Sequence, residues 1–170
     1  MCGIVGILAR RDVVGDLVDG LKRMEYRGYD SAGVCTVHDG QLVRRRAQGK
    51  LRNLVDVLAK DPAPGHVGIA HTRWATHGAP TTSNAHPHAT DEVALVHNGI
   101  IENFKQLRDA LIARGRRFES ETDSEVVAHL LSERIEAGDS PQDAVKAVLP
   151  QLRGAFALAI AFRQYPDMLI

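Results

Sequence analysis

The chain has 170 residues, 44% of them apolar and 25% charged, enough for one globular domain with a real core. Lysine plus arginine equals aspartate plus glutamate at 21 each, so no overall field gathers nucleic acid or an anionic membrane, and partner choice falls to a site. The apolar start Ile4 to Ala9 is too short for a signal-peptide core and runs into Arg10 and Arg11, and no stretch approaches the length of a membrane span.

In chain order, Ile4 to Ala9 reads as a buried strand, and Val13, Val14, Leu17, Val18 and Leu21 recur at helical spacing. Ala32 to Val37 is a second apolar strand, carrying Cys35 as a small buried hydrophobe. The run Arg44 to Arg46 reads as a solvated edge, since no aromatic residue interleaves with it as a nucleic-acid surface would require. Asp61 to Gly65 is a loop, and His66 to Arg73 and Val93 to His97 are further strands. Phe104, Leu107 and Leu111 mark a short helix stopped by Gly115, with basic residues near its end. Val126, Val127, Leu130, Leu131 and Ile135 mark a one-sided helix, as do Ala144, Val145, Val148, Leu149 and Leu152, and Ala155 to Phe162 is a final strand. Sheets covered by helices on one face and by a second sheet on the other fit this order, although periodicity alone does not separate that from a parallel α/β fold. The apolar ending Met168, Leu169, Ile170 suggests a domain cut short on its C-terminal side.

The polar residues gather at strand ends, where loops carry function. Cys2 leads into the first strand behind a single methionine. Once Met1 is removed, one residue holds a thiol and an α-amine that is partly neutral near pH 7 and can accept the thiol proton. With Met1 in place the nitrogen is an amide and cannot. Cys2 can also be read as no more than a small residue opening a strand. Two cysteines without a secretory signal fit reduced thiols and a cytoplasmic location better than a disulfide.

Arg73 closes a strand and offers a two-pronged fork for a carboxylate, or else a surface ion pair. Trp74 beside it could close over a bound amino acid or fill a core. Asn98 offers an amide donor and Gly99 a close backbone approach, together an oxyanion hole; otherwise Asn-Gly is a tight turn. Thr122, Asp123, Ser124 and Glu125 spell a capping box, with Thr122 as cap and Glu125 reaching back. Asp123 could then hold a substrate ammonium or answer the helix dipole. Six of the eight histidines fall between His66 and His97, which raises a metal site. Their spacing argues against one: His86-Pro87-His88 reads as a loop, and no His-x-x-x-His pair falls on a helix.

Four motifs together resemble the glutaminase domain of the glutamine–fructose-6-phosphate aminotransferase family, a branch of the class II, N-terminal-nucleophile amidotransferases. They are Met1-Cys2-Gly3-Ile4-Val5-Gly6, Arg27 to Gly33, Gly68 to Gly78 and His97 to Asn103. The opening alone is shared with amidotransferases of purine, asparagine and glutamate synthesis; Tyr29 and Trp74 favour the hexosamine branch. The resemblance implies an α+β fold, a four-layer αββα sandwich, with residues 1–170 as an incomplete type 2 glutamine amidotransferase domain and the sugar isomerase part absent. It implies Cys2 as nucleophile of a γ-glutamyl thioester, with Asn98 and Gly99 as the oxyanion hole. Arg73 would bind the carboxylate of L-glutamine, Thr76 and His77 would line the pocket, Asp123 would hold the α-ammonium, Trp74 would belong to a closing loop, and Arg27 would brace the site. It implies no cofactor and no metal. Fructose 6-phosphate would be a partner only of the full-length enzyme, itself a homo-oligomer. A domain that binds glutamine without turnover, and the glutaminase of another class II enzyme, remain the alternatives.

Overall fold

The computed structural model describes residues 2–27, 30–74 and 78–170, without the side chain of Arg27. Strand β1 (Gly3–Leu8) leads into helix α1 (Val14–Met24), followed by β2 (Ser31–His38), β3 (Gln41–Gln48), α2 (Leu51–Lys60) and β4 (Val67–Arg73). Then come β5 (His88–Ala89), β6 (Val93–Gly99), α3 (Phe104–Ala113), α4 (Glu125–Glu136), α5 (Pro141–Val148) and β7 (Phe156–Phe162). The strands form two antiparallel sheets, ordered β1-β4-β2-β3 and β5-β6-β7.

The layering follows from strand parity. Successive side chains of a strand point to opposite faces, and here both faces are apolar. Ala32 and Val34 of β2 and Ala70 of β4 pack with Leu17, Leu21, Leu51 and Leu54 of α1 and α2. The alternate positions Cys35, Val37, Val67 and Ile69 meet Ala94, Val96 and Ala161 of the other sheet. On that sheet's far side, Val93, Leu95, Ile160 and Phe162 pack under Leu111, Val126, Leu130, Ala144 and Val148. The order is therefore helices, sheet, sheet, helices. That is the αββα sandwich the sequence pattern left unresolved against a parallel fold, and antiparallel pairing throughout decides it.

Local chemistry supports the element ends. Asp12 accepts the Val14 amide at 3.0 Å at the start of α1, and Ser140 accepts the Asp143 amide at 3.2 Å before α5, with Pro141 at its first position. Gly33 is small for a packing reason: a methyl there would run into the His86 carbonyl, which crosses the inter-sheet face of β2.

Four expectations need correction. The arginine run is not a solvated edge but the middle of β3, with side chains 13–22% exposed: Arg44 donates to Glu119 at 3.1 Å, Arg45 to Asp61, and Arg46 to the carbonyls of Ser83 and Ala85. Helix α4 is not one-sided, because Glu125 to Ser132 are all buried, enclosed by the sheet and its neighbouring helices. The capping box does not form. Glu125 reaches past it to the amides of Glu119 and Ser120 at 2.8 and 2.7 Å, while the Thr122 hydroxyl bonds His88 and Ser120. His88 lies in β5 rather than a loop, and it is buried.

Candidate active site

The parity that builds the inter-sheet layer also aims the polar residues at its end. In β1 and β6 the even positions face between the sheets; in β4 the odd positions do. Gly3 pairs with Thr72, so Cys2 stands beside Arg73, and Asn98 approaches from the facing sheet. Its side-chain nitrogen donates to the Cys2 carbonyl at 3.4 Å. The Trp74 amide donates to the Cys2 sulfur at 3.3 Å. Burial pushes the Cys2 thiol above its ordinary value, and the Trp74 hydrogen bond opposes that only in part.

A cleft of about 360 Å³ opens here, lined by Cys2, Arg73, Trp74, Asn98, Gly99 and Asp123 from the sequence-predicted set. His86, His97, Ile100, Thr122 and Ser124 complete the lining and were not singled out from the sequence as site residues. Thr76, His77 and the Arg27 side chain lie outside the described residues.

Arg73 is no surface ion pair. Its side chain is 4% exposed and donates to the carbonyls of Gly78 and Ala79 at 3.1 and 3.2 Å, with Asp30 4.0 Å away. Trp74 is no core residue, being half exposed at the mouth of the cleft. Asn98-Gly99 is no hairpin turn but the end of β6, paired with Ala157 and Phe156. Gly99 has φ +133°, and a side chain there would strike the Ala155 carbonyl, so the neighbouring strand as well as the cleft requires glycine.

Asp123 is buried and opposite Cys2's sheet. Its Oδ2 accepts the Ile101 amide at 2.8 Å, while Oδ1 lies 3.4 Å from the Ser124 hydroxyl and 3.9 Å from His97 Nδ1. The carboxylate is thus held by the segment after β6 rather than by the first amides of α4.

Three of the clustered histidines pack ring against ring, His71 and His86 tilted and His86 and His88 edge to face. The His71 and His86 ring centroids are 4.2 Å apart and those of His86 and His88 4.5 Å. Among the described residues no group of three His, Cys, Asp or Glu is placed to hold a metal ion. Burial holds His71 and His88 neutral, lowered to about 3, and His86 well below its usual range. Burial works to raise the Glu125 carboxyl, but the His129 imidazole 3.5 Å away and hydrogen bonds from Ser120 and two backbone amides overcome it and hold it at about 2.

These shifts set an acid limit. The unfolded chain takes up protons at histidine below about pH 6.5 while the folded histidines resist until about pH 3, so stability is complete above the unfolded value and falls as pH drops. Each such histidine contributes up to about 1.4 kcal/mol per pH unit in that window. Glu125 adds to the loss below about pH 4.5. Urea unfolding should therefore show a midpoint that is flat from pH 8 to 7 and drops steeply between pH 6 and 4.5. A midpoint independent of pH across that range would mean the imidazoles reach water.

Two sheets packed face to face between helical layers, with a cysteine and an asparagine meeting at one end, define the class II amidotransferase sandwich. The same architecture covers 96% of the chain in two solved enzymes at 27% identity. Glutamine phosphoribosylpyrophosphate amidotransferase from B. subtilis, complexed with ADP and GMP, matches over 35% of its own chain with a TM-score of 0.80. A structure of the allosteric regulatory enzyme of purine biosynthesis matches over 36% with a TM-score of 0.83.

The sequence profile of the glutamine amidotransferase domain matches residues 71–170, and the chain belongs to that family. Over all 170 residues it is 68% identical to a glutamine–fructose-6-phosphate aminotransferase (isomerizing) of Zymomonas mobilis and 63% identical to one of Bradyrhizobium diazoefficiens. The chain spans 28% of the length of each. No helix among the described residues is long and apolar enough to cross a membrane.

Proposed function

We propose that residues 1–170 form the type 2 glutaminase domain of a longer glutamine–fructose-6-phosphate aminotransferase. On this reading the domain hydrolyses the side-chain amide of L-glutamine and passes the ammonia on for transfer to fructose 6-phosphate elsewhere in that protein. The observation that carries this reading is one cleft holding Cys2 and Asn98 together, with a buried cation, Arg73, and a buried carboxylate, Asp123, on its walls.

After removal of Met1, the Cys2 α-amine takes the thiol proton and the sulfur attacks the amide carbon. Burial keeps this thiol from ionising on its own, so a base attached to the same residue is what activates it. Negative charge then develops on the amide oxygen, opposed by the Asn98 carboxamide and the Gly99 N–H. The protonated amine hands its proton to the nitrogen as the carbon–nitrogen bond breaks, releasing ammonia and leaving a thioester. Water attacks that thioester, and glutamate and the free thiol are restored. Arg73 pairs with the substrate carboxylate and Asp123 with its ammonium. Trp74, at the mouth, closes over glutamine and keeps water out until ammonia has left.

The test is the intact mass of protein lacking Met1, before and after a γ-electrophilic glutamine analogue. One adduct mapped to Cys2 supports the proposal. Saturable glutamine binding without any adduct would favour a domain that holds glutamine and does not turn it over.

Arg73→Lys should raise the glutamine KM about tenfold or more with a smaller change in kcat. A single ammonium cannot hold the two carbonyls at 78 and 79 and also meet a carboxylate with two prongs. Steady-state kinetics checks it; an unchanged KM removes Arg73 from carboxylate recognition.

A further inference from the structure

Ser124 sits where β6, the segment before β5 and the start of α4 meet, and its single hydroxyl touches three polar side chains. Its Oγ is 2.9 Å from His86 Nε2, 2.8 Å from His97 Nδ1 and 3.4 Å from Asp123 Oδ1. All four residues are at least nine-tenths buried, and all line the cleft. A hydroxyl has one proton to give and two lone pairs to fill, so three neighbours saturate it only if two donate and one accepts.

The chemistry fixes which is which. His86 Nδ1 is buried with no hydrogen-bond partner, so a proton there would be an orphaned donor. The neutral imidazole therefore carries its proton on Nε2 and donates to Ser124. The Ser124 proton can then go to His97 or to Asp123. A carboxylate is the stronger acceptor, and its other oxygen is already taken by the Ile101 amide. With the serine proton on Asp123, His97 Nδ1 fills the second lone pair as a donor. Each proton of the unit then has an acceptor, and the bonds run in one sense only.

We infer that Ser124 is a positioning residue: its hydroxyl, oriented by His86 and His97, fixes the direction in which the Asp123 carboxylate faces the cleft. The inference rests on Asp123 being the partner of the glutamine ammonium. Without the hydroxyl, Oδ1 loses its side-chain donor, two imidazoles lose their shared acceptor, and the carboxylate is held by the Ile101 amide on Oδ2, a single contact that fixes its direction less tightly. The thiol, Asn98 and Arg73 lie outside the unit, so the cost falls on recognition of the ammonium and not on the bond-breaking step.

The experiment compares kcat/KM for L-glutamine with that for 4-carbamoylbutanoate, which keeps the carboxylate and amide but lacks the α-ammonium. Ser124→Ala should lower kcat/KM for glutamine about tenfold, mostly through KM, and leave the desamino substrate within about twofold. The preference ratio then shrinks by about the same factor. Ser124→Thr, which keeps a hydroxyl, should restore it. Ser124→Cys, close to serine in volume and a weak donor, should behave as alanine does and serves if the alanine variant does not fold. A site that is merely loosened would lose both substrates together, leaving the ratio intact and overturning the inference. Asp123→Asn separates the two levels. If it leaves the ratio unchanged, the ammonium reading of Asp123 fails; if it collapses the ratio while Ser124→Ala and Ser124→Cys do not, only the role of Ser124 fails.

Discussion

Cys2→Ala should abolish ammonia release from glutamine, lowering kcat by at least about four orders of magnitude, while glutamine still binds. On the proposed mechanism the carbon–nitrogen bond breaks through attack by sulfur, and alanine offers no atom that can form the thioester. The proposed oxyanion donors and the α-amine of residue 2 remain but can assist only the slower direct attack of water. Binding survives because its electrostatic contacts sit elsewhere. Arg73 is anchored on the carbonyls of Gly78 and Ala79, and Asp123 on the Ile101 amide and Ser124. Cys2→Ser should be nearly as inactive, since a hydroxyl is far more reluctant than a thiol to give its proton to an α-amine. Calorimetry should give a glutamine Kd within about threefold of the parent in both variants. Alkylation supplies an internal control: Cys35 is fully buried and its thiol is pushed up to about 12, so reagent uptake by the native protein should vanish with Cys2. Ammonia release within tenfold of the parent would remove Cys2 from the chemistry.

Much of the fold was legible because the two faces of β2, β4 and β6 are apolar in different company. Runs such as Ala32 to Val37 show no alternation, and that continuity signals cover on both sides. What was missed was missed for physical reasons. Strand β3 carries three arginines in its middle, so its pattern reads as surface; only the fold reveals that their charges are met by Glu119, Asp61 and loop carbonyls. Helix α2 buries only Leu51 and Leu54, too thin a stripe to stand out. The capping box failed because Glu125 found stronger partners in the amides before it, a tertiary outcome that a four-residue motif does not contain. In the site, residues at strand ends could be read because chain position and chemistry coincide there: Cys2, Arg73 and Asn98 all fall at the same end of the inter-sheet layer. His86, His97 and Ser124 could not, since their meaning lies in a contact between β6, the segment before β5 and the start of α4. The clustering of histidines was visible, but the packing of the His71, His86 and His88 rings against one another was not.

Asn98→Ala should lower kcat about 10²- to 10³-fold with little change in KM, the second largest effect expected of a single substitution. Asn98 occupies an even position of β6, which aims it across the layer at Cys2, and one amide hydrogen already goes to the Cys2 carbonyl at 3.4 Å. On the proposed mechanism its second hydrogen meets the charge that develops on the substrate oxygen, a charge that exists only on the way to the tetrahedral intermediate. A group that meets only that charge acts on kcat and leaves ground-state binding nearly untouched. Asn98→Asp should be worse than alanine, because it turns a donor into a negatively charged acceptor beside both the Cys2 carbonyl and the developing anion. Loss of the Cys2 contact could also shift the nucleophile, so the rate of Cys2 alkylation must be read in parallel. An alkylation rate near that of the parent, with kcat depressed, places the defect in the transition state. A raised KM at unchanged kcat would make Asn98 a grip on the substrate and leave the oxyanion without its side-chain donor.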